Sequence, residues 1–304
     1  MRKRLVAAVL ALALALAVPF PVQAVRSSGA GKEAALAAGK KRKARWVYKK
    51  KGTYYKKKNG KYAKGSYKIG GVYYVFSKKG KLLKPETNSH KKVGGTWYYV
   101  SPEGKALYGW HFLNGNFYYA TSKGKLKKKC TVQGIALNSK GRAQPSDLLT
   151  WQMKITETVD EIVSDDMTKE EKLKACWRYL TSKENFRYRL RYPDLEAENW
   201  YQETAYDMFL THSGNCYSFA CAFAAMANQI GYYSYVVCGR VSGTRDRAAD
   251  RLTRHCWVRI NDGWYDPEAQ FAGFYKNCYG SASYGIRHEI GKIVKYVDGS
   301  VEYY

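Results

Sequence analysis

Three kinds of pattern are missing from this 304-residue sequence. Beyond residue 24, no apolar run approaches the roughly 18 residues that a membrane-spanning helix needs, which excludes such a helix from that part of the chain. No Cys-x-x-Cys pair and no cluster of His and Cys has the spacing of a zinc site, so we expect neither a metal nor another cofactor. Acidic residues are almost absent between residues 40 and 140, where 27 Lys and Arg accompany only Glu86 and Glu103. The net charge of +25 in that segment favours an anionic partner.

The rest of the chain has a different charge balance. From residue 141 onward there are 20 basic and 22 acidic residues, which leaves this part close to neutral. A Pro-Ser step at 145–146 separates the two parts. We therefore predict two modules with different electrostatic properties.

The first 24 residues have the pattern of a secretory signal peptide. A basic start at 2–4 is followed by an Ala, Leu and Val run and by the small-residue cleavage pattern Val-Gln-Ala at 22–24. We expect the mature protein to be extracellular, at the cell wall or cell surface, without a transmembrane anchor. Residues 25–45 are rich in Ala, Gly and basic residues and predict a disordered basic leader.

Cys216 is the strongest candidate for a nucleophile. A turn-forming Ser-Gly-Asn precedes it, and Ser213 or Asn215 can cap a helix there. The Ala- and Phe-rich stretch that follows ends near Gly231, which suits a left-handed residue at a helix C-terminus. Cys216 is therefore predicted at the start of a buried helix, where free N–H groups and the helix dipole favour the reactive thiolate.

A predicted β-hairpin supplies a base and its partner. Residues 254–260 and 264–266 are rich in aromatic and β-branched residues and flank an Asp-Gly turn at 262–263. Symmetric pairing about this turn brings His255 close to Asp266, where a carboxylate can orient the imidazole and stabilise its charged form. Taken singly, the three residues are equally well explained as a structural cysteine, a sheet histidine and a turn aspartate. Their ordered combination favours catalysis.

This combination resembles the transglutaminase-like branch of the papain-type superfamily. The resemblance spans most of residues 165–270. It rests on Gly-Asn-Cys at 214–216, Ile-Gly-Tyr at 230–232, the strand at 235–239, His-Cys-Trp-Val at 255–258 and Trp-Tyr-Asp-Pro at 264–267. It implies an α+β papain-like core within residues 146–304, with Cys216 as thiolate, His255 as base and then acid, and Asp266 as the partner of the histidine.

The donors that would stabilise an oxyanion are less clearly marked. The backbone N–H of Cys216 is one natural donor. His212, Trp200 and Tyr201 are candidates for a second donor, but no spacing selects one of them, and His212 is equally well explained as a loop histidine.

The other cysteines leave two alternatives open. Seven cysteines are an odd number, so at least one is unpaired. Besides Cys216, the chain has six that either form disulfides or are reduced core residues: Cys130, Cys176, Cys221, Cys238, Cys256 and Cys278. Periodicity predicts that Cys176, Cys221 and Cys256 lie in the core.

Residues 46–143 form a repeat array. An eleven-residue unit of the type Gly-x-aromatic-Tyr-x-x-Ser-x-x-Gly-Lys occurs at 71–81 and 95–105, and a close variant occurs at 115–125. Partial copies occur at 52–61 and 134–141. We interpret each unit as an aromatic strand, a Gly-containing turn and a short return, which is a β-hairpin too small to bury a core alone. Stacked hairpins predict a β-solenoid N-terminal to the α+β domain.

These units resemble the choline-binding and glucan-binding cell-wall repeats of Gram-positive surface proteins, with Gly-Trp at 109–110 as a matching step. The resemblance implies attachment to wall polymers through aromatic side chains, for which the candidates are Tyr73, Tyr74, Trp97, Tyr98, Tyr99, Trp110, Tyr118 and Tyr119. The positive charge favours anionic teichoic acid or a glycan over a cation such as choline. Tyrosines interleaved with lysines also suit single-stranded nucleic acid, but export argues against that partner. Alternatively, the tyrosines are only hairpin core and the lysines only a solvated face.

Together, the two resemblances predict an exported, wall-associated thiol enzyme that acts on peptide or glutamine amides of protein or peptidoglycan peptides through a Cys216 thioester. The reaction is either cysteine-peptidase hydrolysis or transglutaminase-like acyl transfer, depending on whether water or an amine reaches the thioester. The alternative is a non-catalytic cell-wall-binding or adhesion protein in which the papain-like domain is a scaffold.

Overall fold

The computed structural model describes residues 43–304. The predicted signal peptide at 1–24 and the predicted leader as far as residue 42 lie outside the described residues. The first strand begins at Arg45, so the repeat array starts one residue earlier than the sequence indicated. Within the described part of the chain, no helix is long and apolar enough to cross a membrane.

Successive two-stranded antiparallel hairpins make up residues 45–137 of the chain. Their strands are β1 (Arg45–Lys49), β2 (Gly52–Lys56), β3 (Gly65–Ile69), β4 (Val72–Phe76), β5 (Ser89–Val93), β6 (Thr96–Val100), β7 (Gly109–Leu113), β8 (Asn116–Ala120), β9 (Cys130–Val132) and β10 (Ile135–Leu137). In each hairpin, a turn of two residues connects the paired strands. At 70–71, 94–95, 114–115 and 133–134 both turn residues have positive φ, which matches the right-handed twist of the paired strands.

The aromatic strands form full ladders with the strand before them, which the sequence analysis missed. They also pair with the predicted short return after them, through isolated bridges such as Val100 with Ala106. In the third hairpin, Val93 lies opposite Thr96, so the Gly-Gly at 94–95 forms the hairpin turn. The segment after the aromatic strand makes only isolated bridges, and Lys105 bridges back to Tyr74 of the second hairpin. The two-residue turn closes a full five-residue ladder, whereas the return segment is shared with a neighbouring hairpin.

These shared segments stack the hairpins. Lys81 bridges Tyr54, and Lys125 bridges Tyr98, by the same pattern as Lys105 and Tyr74. Small apolar clusters fill the spaces between hairpins, and one of them contains Val75, Val100 and Ala106. The predicted array of stacked β-hairpins is therefore confirmed.

Residues 147–304 combine helices with a six-stranded antiparallel sheet and a separate two-stranded parallel pair. The helices are α1 (Asp147–Ile162), α2 (Lys169–Leu180), α3 (Trp200–Thr211), α4 (Cys216–Gln229) and α5 (Pro267–Ala272). The strands are β11 (Arg187–Tyr188), β12 (Ser213–Gly214), β13 (Ser234–Ser242), β14 (Leu252–Ile260), β15 (Gly263–Tyr265), β16 (Tyr279–Ser281), β17 (His288–Lys295) and β18 (Val301–Tyr303). Six of these strands form a sheet in the order β16-β15-β14-β13-β17-β18, which confirms the predicted α+β class.

Helix α4 lies at the centre of the main core. All residues from Cys216 to Ala227 are buried, and the helix packs against β13, β14, α2 and α3. Cys176, Cys221 and Cys256 are fully buried, as periodicity predicts. The seven cysteines all lie in the described part of the chain and carry free thiols, although Cys238 Sγ and Cys256 Sγ are only 3.8 Å apart on paired strands.

The repeat array contacts the C-terminal end of α4. Tyr108 donates a hydrogen bond from its hydroxyl to the Ile230 carbonyl at 2.6 Å, and the Gln229 side chain donates to the Trp110 carbonyl at 3.0 Å. Gly231 leaves room for the Tyr108 ring, because a Cβ there would lie 2.6 Å from it. At 1.5 Å per residue, α4 spans about 20 Å between this contact and Cys216.

Gly239 provides a test of the central sheet. A bulge between β13 and β17 brings the Glu289 carbonyl over this glycine, and an added Cβ would lie 2.1 Å from that oxygen. We expect Gly239→Ala to lower the free energy of unfolding by about 1–3 kcal/mol, because neither backbone can move away without breaking the ladder. Chemical unfolding measures the change. Gly285→Ala is the matched control, since nothing lies within 4 Å of its added Cβ, and equal stability of the two variants would contradict the packing described.

Candidate active site

Cys216 is the first residue of α4, as predicted. Asn215 is the N-cap, and its side-chain oxygen accepts hydrogen bonds from the N–H groups of Tyr217 at 3.1 Å and Ser218 at 3.4 Å. Its side-chain amide donates to the Arg191 carbonyl at 2.7 Å, which ties the helix start to the segment after β11. The sequence left Ser213 and Asn215 as alternative caps, and the structure selects Asn215.

His255 and Asp266 meet through the predicted hairpin, but its turn is one residue earlier than expected. Ile260 lies opposite Gly263, so the two-residue turn is 261–262, with Asn261 at a φ of 52°. Gly263 therefore belongs to β15 rather than to the turn. Asn is one of the residues that adopts positive φ at low cost, and this allowed the shift. Nε2 of His255 still lies 2.7 Å from a carboxylate oxygen of Asp266.

Asp266 is held by more groups than the sequence indicated. It caps α5, and its Oδ1 accepts a hydrogen bond from the Ala269 N–H at 3.0 Å. Its Oδ2 accepts hydrogen bonds from His255 and from the hydroxyls of Tyr275 and Tyr284. The two tyrosines lie beyond the recognised motif, and no local pattern identified them. The carboxylate therefore has donors on both oxygens, although its side chain is only 1% exposed.

The charges of this pair reinforce each other. Burial alone would raise the pKa of Asp266, but the charge and hydrogen bond of His255 and the bonds from the tyrosines outweigh it and lower the pKa. Burial alone would lower the pKa of His255. The charge and hydrogen bond of Asp266, with a smaller contribution from the nearby Cys216, raise that pKa well above its usual value. The imidazolium is thus favoured beside the cysteine.

The three side chains are enclosed. Cys216 is 0%, His255 5% and Asp266 1% exposed. The neighbouring cationic side chain is Arg245, in the loop between β13 and β14. Burial lowers its pKa, but the negative charges that Cys216, Tyr192 and Tyr188 can carry outweigh burial and raise it. Little water reaches the reacting atoms, and this strengthens electrostatic interactions among them.

Glu268 is a charged residue near the site that the sequence analysis missed. It is the second residue of α5 and is only 3% exposed. Its Oε2 lies 3.9 Å from Nδ1 of His255. His255, Asp266 and Glu268 also bring one possible metal-ligand atom each to within 4.8 Å of one another. Within this group, His255 and Asp266 are joined by a direct hydrogen bond of 2.7 Å.

The three candidates for a second oxyanion donor have other contacts. The ring of His212 hydrogen-bonds to the Asn185 carbonyl at 3.1 Å and stacks on Phe186. Tyr201 packs edge-on against Tyr296 with ring centroids 5.2 Å apart. Trp200 is buried and packs against Tyr201 and Tyr217. These contacts explain the side chains as capping or packing residues, so none is assigned as the donor.

Two of the predicted wall-contacting residues are buried. Trp110 is 2% and Tyr98 6% exposed, so their assignment to a polymer-contacting surface was wrong. Their rings fill the clusters between hairpins, because in a strand of five residues one face must cover the neighbouring unit. Trp97 is 44% exposed. The remaining candidates are partly buried: Tyr73, Tyr74, Tyr99, Tyr118 and Tyr119.

A cationic cleft lies between the last three hairpins. Its volume is about 810 Å³, and Trp97 and Tyr118 are its aromatic lining residues. Four cationic side chains also line it: Lys127, Lys128, Lys140 and Arg142. An aromatic face beside several cations suits a polymer that carries both sugars and negative charges.

Comparison with known families gives the domain type. Residues 156–269 match the model of the Transglutaminase-like superfamily, and this range includes Cys216, His255 and Asp266. The second half carries a transglutaminase-like domain. The α4 helix and strands β13 to β15 of this transglutaminase-like domain all lie within the matched range.

The chain is also similar to parts of pneumococcal proteins. Choline binding protein F from Streptococcus pneumoniae is 31% identical, over 33% of this chain and 33% of that chain, with a TM-score of 0.27. A pneumococcal cell wall endolysin from phage Cp-1, complexed with choline, is 30% identical over 30% of this chain and 27% of that chain, with a TM-score of 0.22. The match thus spans about a third of the length of the first protein. Among curated proteins, none is significantly similar to this chain.

Proposed function

We propose that this protein is an exported, cell-wall-associated thiol enzyme that acts on peptide or glutamine amide bonds through a thioester at Cys216. The observation that carries the proposal is the buried pair of His255 and Asp266, with Nε2 of the imidazole 2.7 Å from the carboxylate. Cys216, at the start of α4, contributes to the raised pKa of this histidine. A carboxylate that orients the base, and a base beside the nucleophile, are what acyl transfer requires.

The first half of the reaction forms the thioester. Sγ of Cys216, as thiolate, attacks the amide carbon, and the Cys216 N–H at the helix start is placed to stabilise the oxyanion. His255 then gives the proton on Nδ1 to the leaving nitrogen, because its Nε2–H is donated to Asp266. The C–N bond breaks, and ammonia or an amine leaves.

The second half releases the acyl group. Water or an amine attacks the thioester carbon, and His255 takes up a proton at Nδ1 while the C–S bond breaks. The thiolate and imidazolium are restored together. Asp266 keeps the ring in one orientation throughout and stabilises its charged form, as the raised pKa of His255 supports.

Alkylation of the purified mature protein with iodoacetamide at pH 6–7 tests the catalytic pair. We expect Cys216 to react first among the seven cysteines, and His255→Ala to slow its modification about 10²-fold, because the imidazolium no longer stabilises the thiolate. Peptide mass spectrometry gives the rate at each site. His90→Ala, on β5 of the repeat array, is the matched control. An unreactive Cys216 in the folded protein would instead favour the non-catalytic adhesion function.

The proposed wall attachment has its own support and test. We expect the cationic cleft to hold an anionic wall polymer, since Lys127 and Lys128 are exposed at its edge. Replacing both lysines by Glu should weaken sedimentation of the protein with teichoic acid-bearing cell walls about tenfold or more, and the binding should fall with salt. Lys78 and Lys79 replaced by Glu make the same charge change at an exposed turn outside the cleft. Equal losses in both variants would point to general charge attraction without a site.

A further inference from the structure

Two cysteines that the proposed mechanism does not use are neighbours in the six-stranded sheet. Cys238 on β13 lies directly opposite Cys256 on β14. Their sulfur atoms are 3.8 Å apart and share a hydrogen bond in which either thiol can be the donor. Cys238 is 4% and Cys256 0% exposed. All seven cysteines lie within the described residues, and these two are the only ones joined to each other by a hydrogen bond.

The strand pairing places this pair within the limits of a disulfide. Residues directly opposite each other in antiparallel strands have Cα atoms about 4.5 or 5.5 Å apart, depending on the hydrogen-bonding pattern. Disulfides join Cα atoms that are about 4.4–6.8 Å apart, so either pattern allows the bond. The sulfur atoms must approach from 3.8 Å to about 2.05 Å. Rotation of the two side chains provides this approach while the backbones stay paired.

The two thiols differ in how readily they react. Burial raises the pKa of Cys256 well above its usual value, and the hydrogen bond with Cys238 raises it further. Cys256 therefore keeps its proton. Cys238 has the small exposed fraction of the pair. A small oxidant that enters the core therefore reacts first with the sulfur of Cys238, and Cys256 is the neighbouring thiol that completes the bond.

We propose that Cys238 and Cys256 form a redox modification site, which a peroxide converts into a disulfide between β13 and β14. The sulfur of Cys238 attacks one oxygen of hydrogen peroxide and the O–O bond breaks, which gives a sulfenic acid and water. The sulfur of Cys256 then attacks the sulfenic sulfur, and the hydroxyl group leaves with the Cys256 proton as a second water. Two thiols and one hydrogen peroxide thus give one disulfide and two waters.

This bond fixes the strand that carries the proposed base. His255 directly precedes Cys256, and it lies opposite Gly239, the residue after Cys238. Alternation along β14 places the imidazole on the opposite face from the Cys256 sulfur, so its contact with Asp266 is retained. The cysteines are 18 residues apart in the chain. Because a cross-link of this length restricts the unfolded chain, we expect oxidation to raise Tm by roughly 5–10 °C.

Peptide mapping of the oxidised protein tests the site. The variant Cys216→Ser, which lacks the proposed nucleophile, is treated with hydrogen peroxide, blocked with iodoacetamide and digested without reductant. We expect mass spectrometry to find two peptides joined through Cys238 and Cys256, together with the rise in Tm, and dithiothreitol should reverse both. Adding Cys238→Ala should abolish both effects. Cys176→Ala, at a fully buried cysteine on α2, is the matched control and should retain them.

Three results would overturn the inference. Free thiols at both positions after prolonged treatment of the folded protein would show that the pair consists of reduced core residues. A disulfide between other cysteines would show that contact in the sheet does not select the pair. A bond between Cys238 and Cys256 without a rise in Tm would show that it does not fix the strands. None of these results depends on catalysis, because the tested protein lacks the Cys216 thiol.

Discussion

Asp266→Asn is expected to lower the rate of acyl transfer about 10³–10⁴-fold. The side-chain amide of this variant has nearly the shape of the carboxylate. Its oxygen can still accept the hydrogen bond from the Ala269 N–H, so the start of α5 should form. It carries no negative charge, however, and its NH₂ group can face His255 and select the wrong tautomer. The measurement is the rate of ammonia or amine release from a donor peptide, with thermal unfolding to show that the variant is folded.

The pH dependence separates this role from a packing role. In the wild type the pKa of His255 is raised, so the imidazolium persists above pH 6.5. Without the charge of Asp266 that pKa falls, and the alkaline limit of acyl transfer, which needs the protonated imidazole to donate to the leaving nitrogen, should move down by roughly 1–3 pH units. Asp262→Asn makes the same change in the nearby exposed turn and should leave the profile unchanged. An unshifted profile in Asp266→Asn would contradict the assigned role.

Asp266→Ala should produce the largest loss of stability. The substitution leaves His255, Tyr275 and Tyr284 buried without the acceptor they share. Removing one partner of a buried ionic network costs about 3–5 kcal/mol, which corresponds to a fall in Tm of roughly 10 °C for a domain of this size. Thermal unfolding at pH 7 measures it. Asp262→Ala is the control, and a fall no larger than in the control would show that the network contributes little.

Acid should reduce the difference between wild type and Asp266→Ala. The pKa of Asp266 is lowered in the folded protein, so the unfolded chain binds its proton more readily. The stabilisation is therefore complete above the ordinary value of 3.8 and is lost as the pH falls through the lower folded value. Unfolding curves of both proteins between pH 7 and pH 2 should converge at the acid end. Parallel curves would mean that Asp266 does not titrate in the fold.

Much of the site could be predicted because its signals are local. The turn before Cys216, the Ala- and Phe-rich stretch after it and Gly231 at its end together indicate a buried helix with the cysteine at its start. The alternation around His255 depends only on neighbouring residues, and so does the hairpin that carries it towards Asp266. Even the one-residue error in the turn left this pair in contact, because His255 lies on β14 and Asp266 directly follows its partner strand β15.

The repeats show where local reasoning ends. Their period and aromatic pattern predicted hairpins, but each aromatic strand has a possible partner on either side in the sequence. Pairing with the strand before it leaves the return segment free to bridge to a neighbouring hairpin, as Lys105 does with Tyr74. The same stacking buries Trp110 and Tyr98 and leaves Trp97 exposed, although Trp97 and Tyr98 are neighbours in one repeat unit.

The sequence by itself therefore determined the two modules, the nucleophile helix and the His–Asp hairpin, since caps, turn residues and alternation act between neighbours in the chain. Only the tertiary structure decided which tyrosines hold Asp266, where Glu268 lies and which aromatic rings border the cationic cleft. Tyr284 is 18 residues from the carboxylate it contacts. Contacts of this kind depend on how loops return across the sheet and on which faces stack, and no local pattern encodes them.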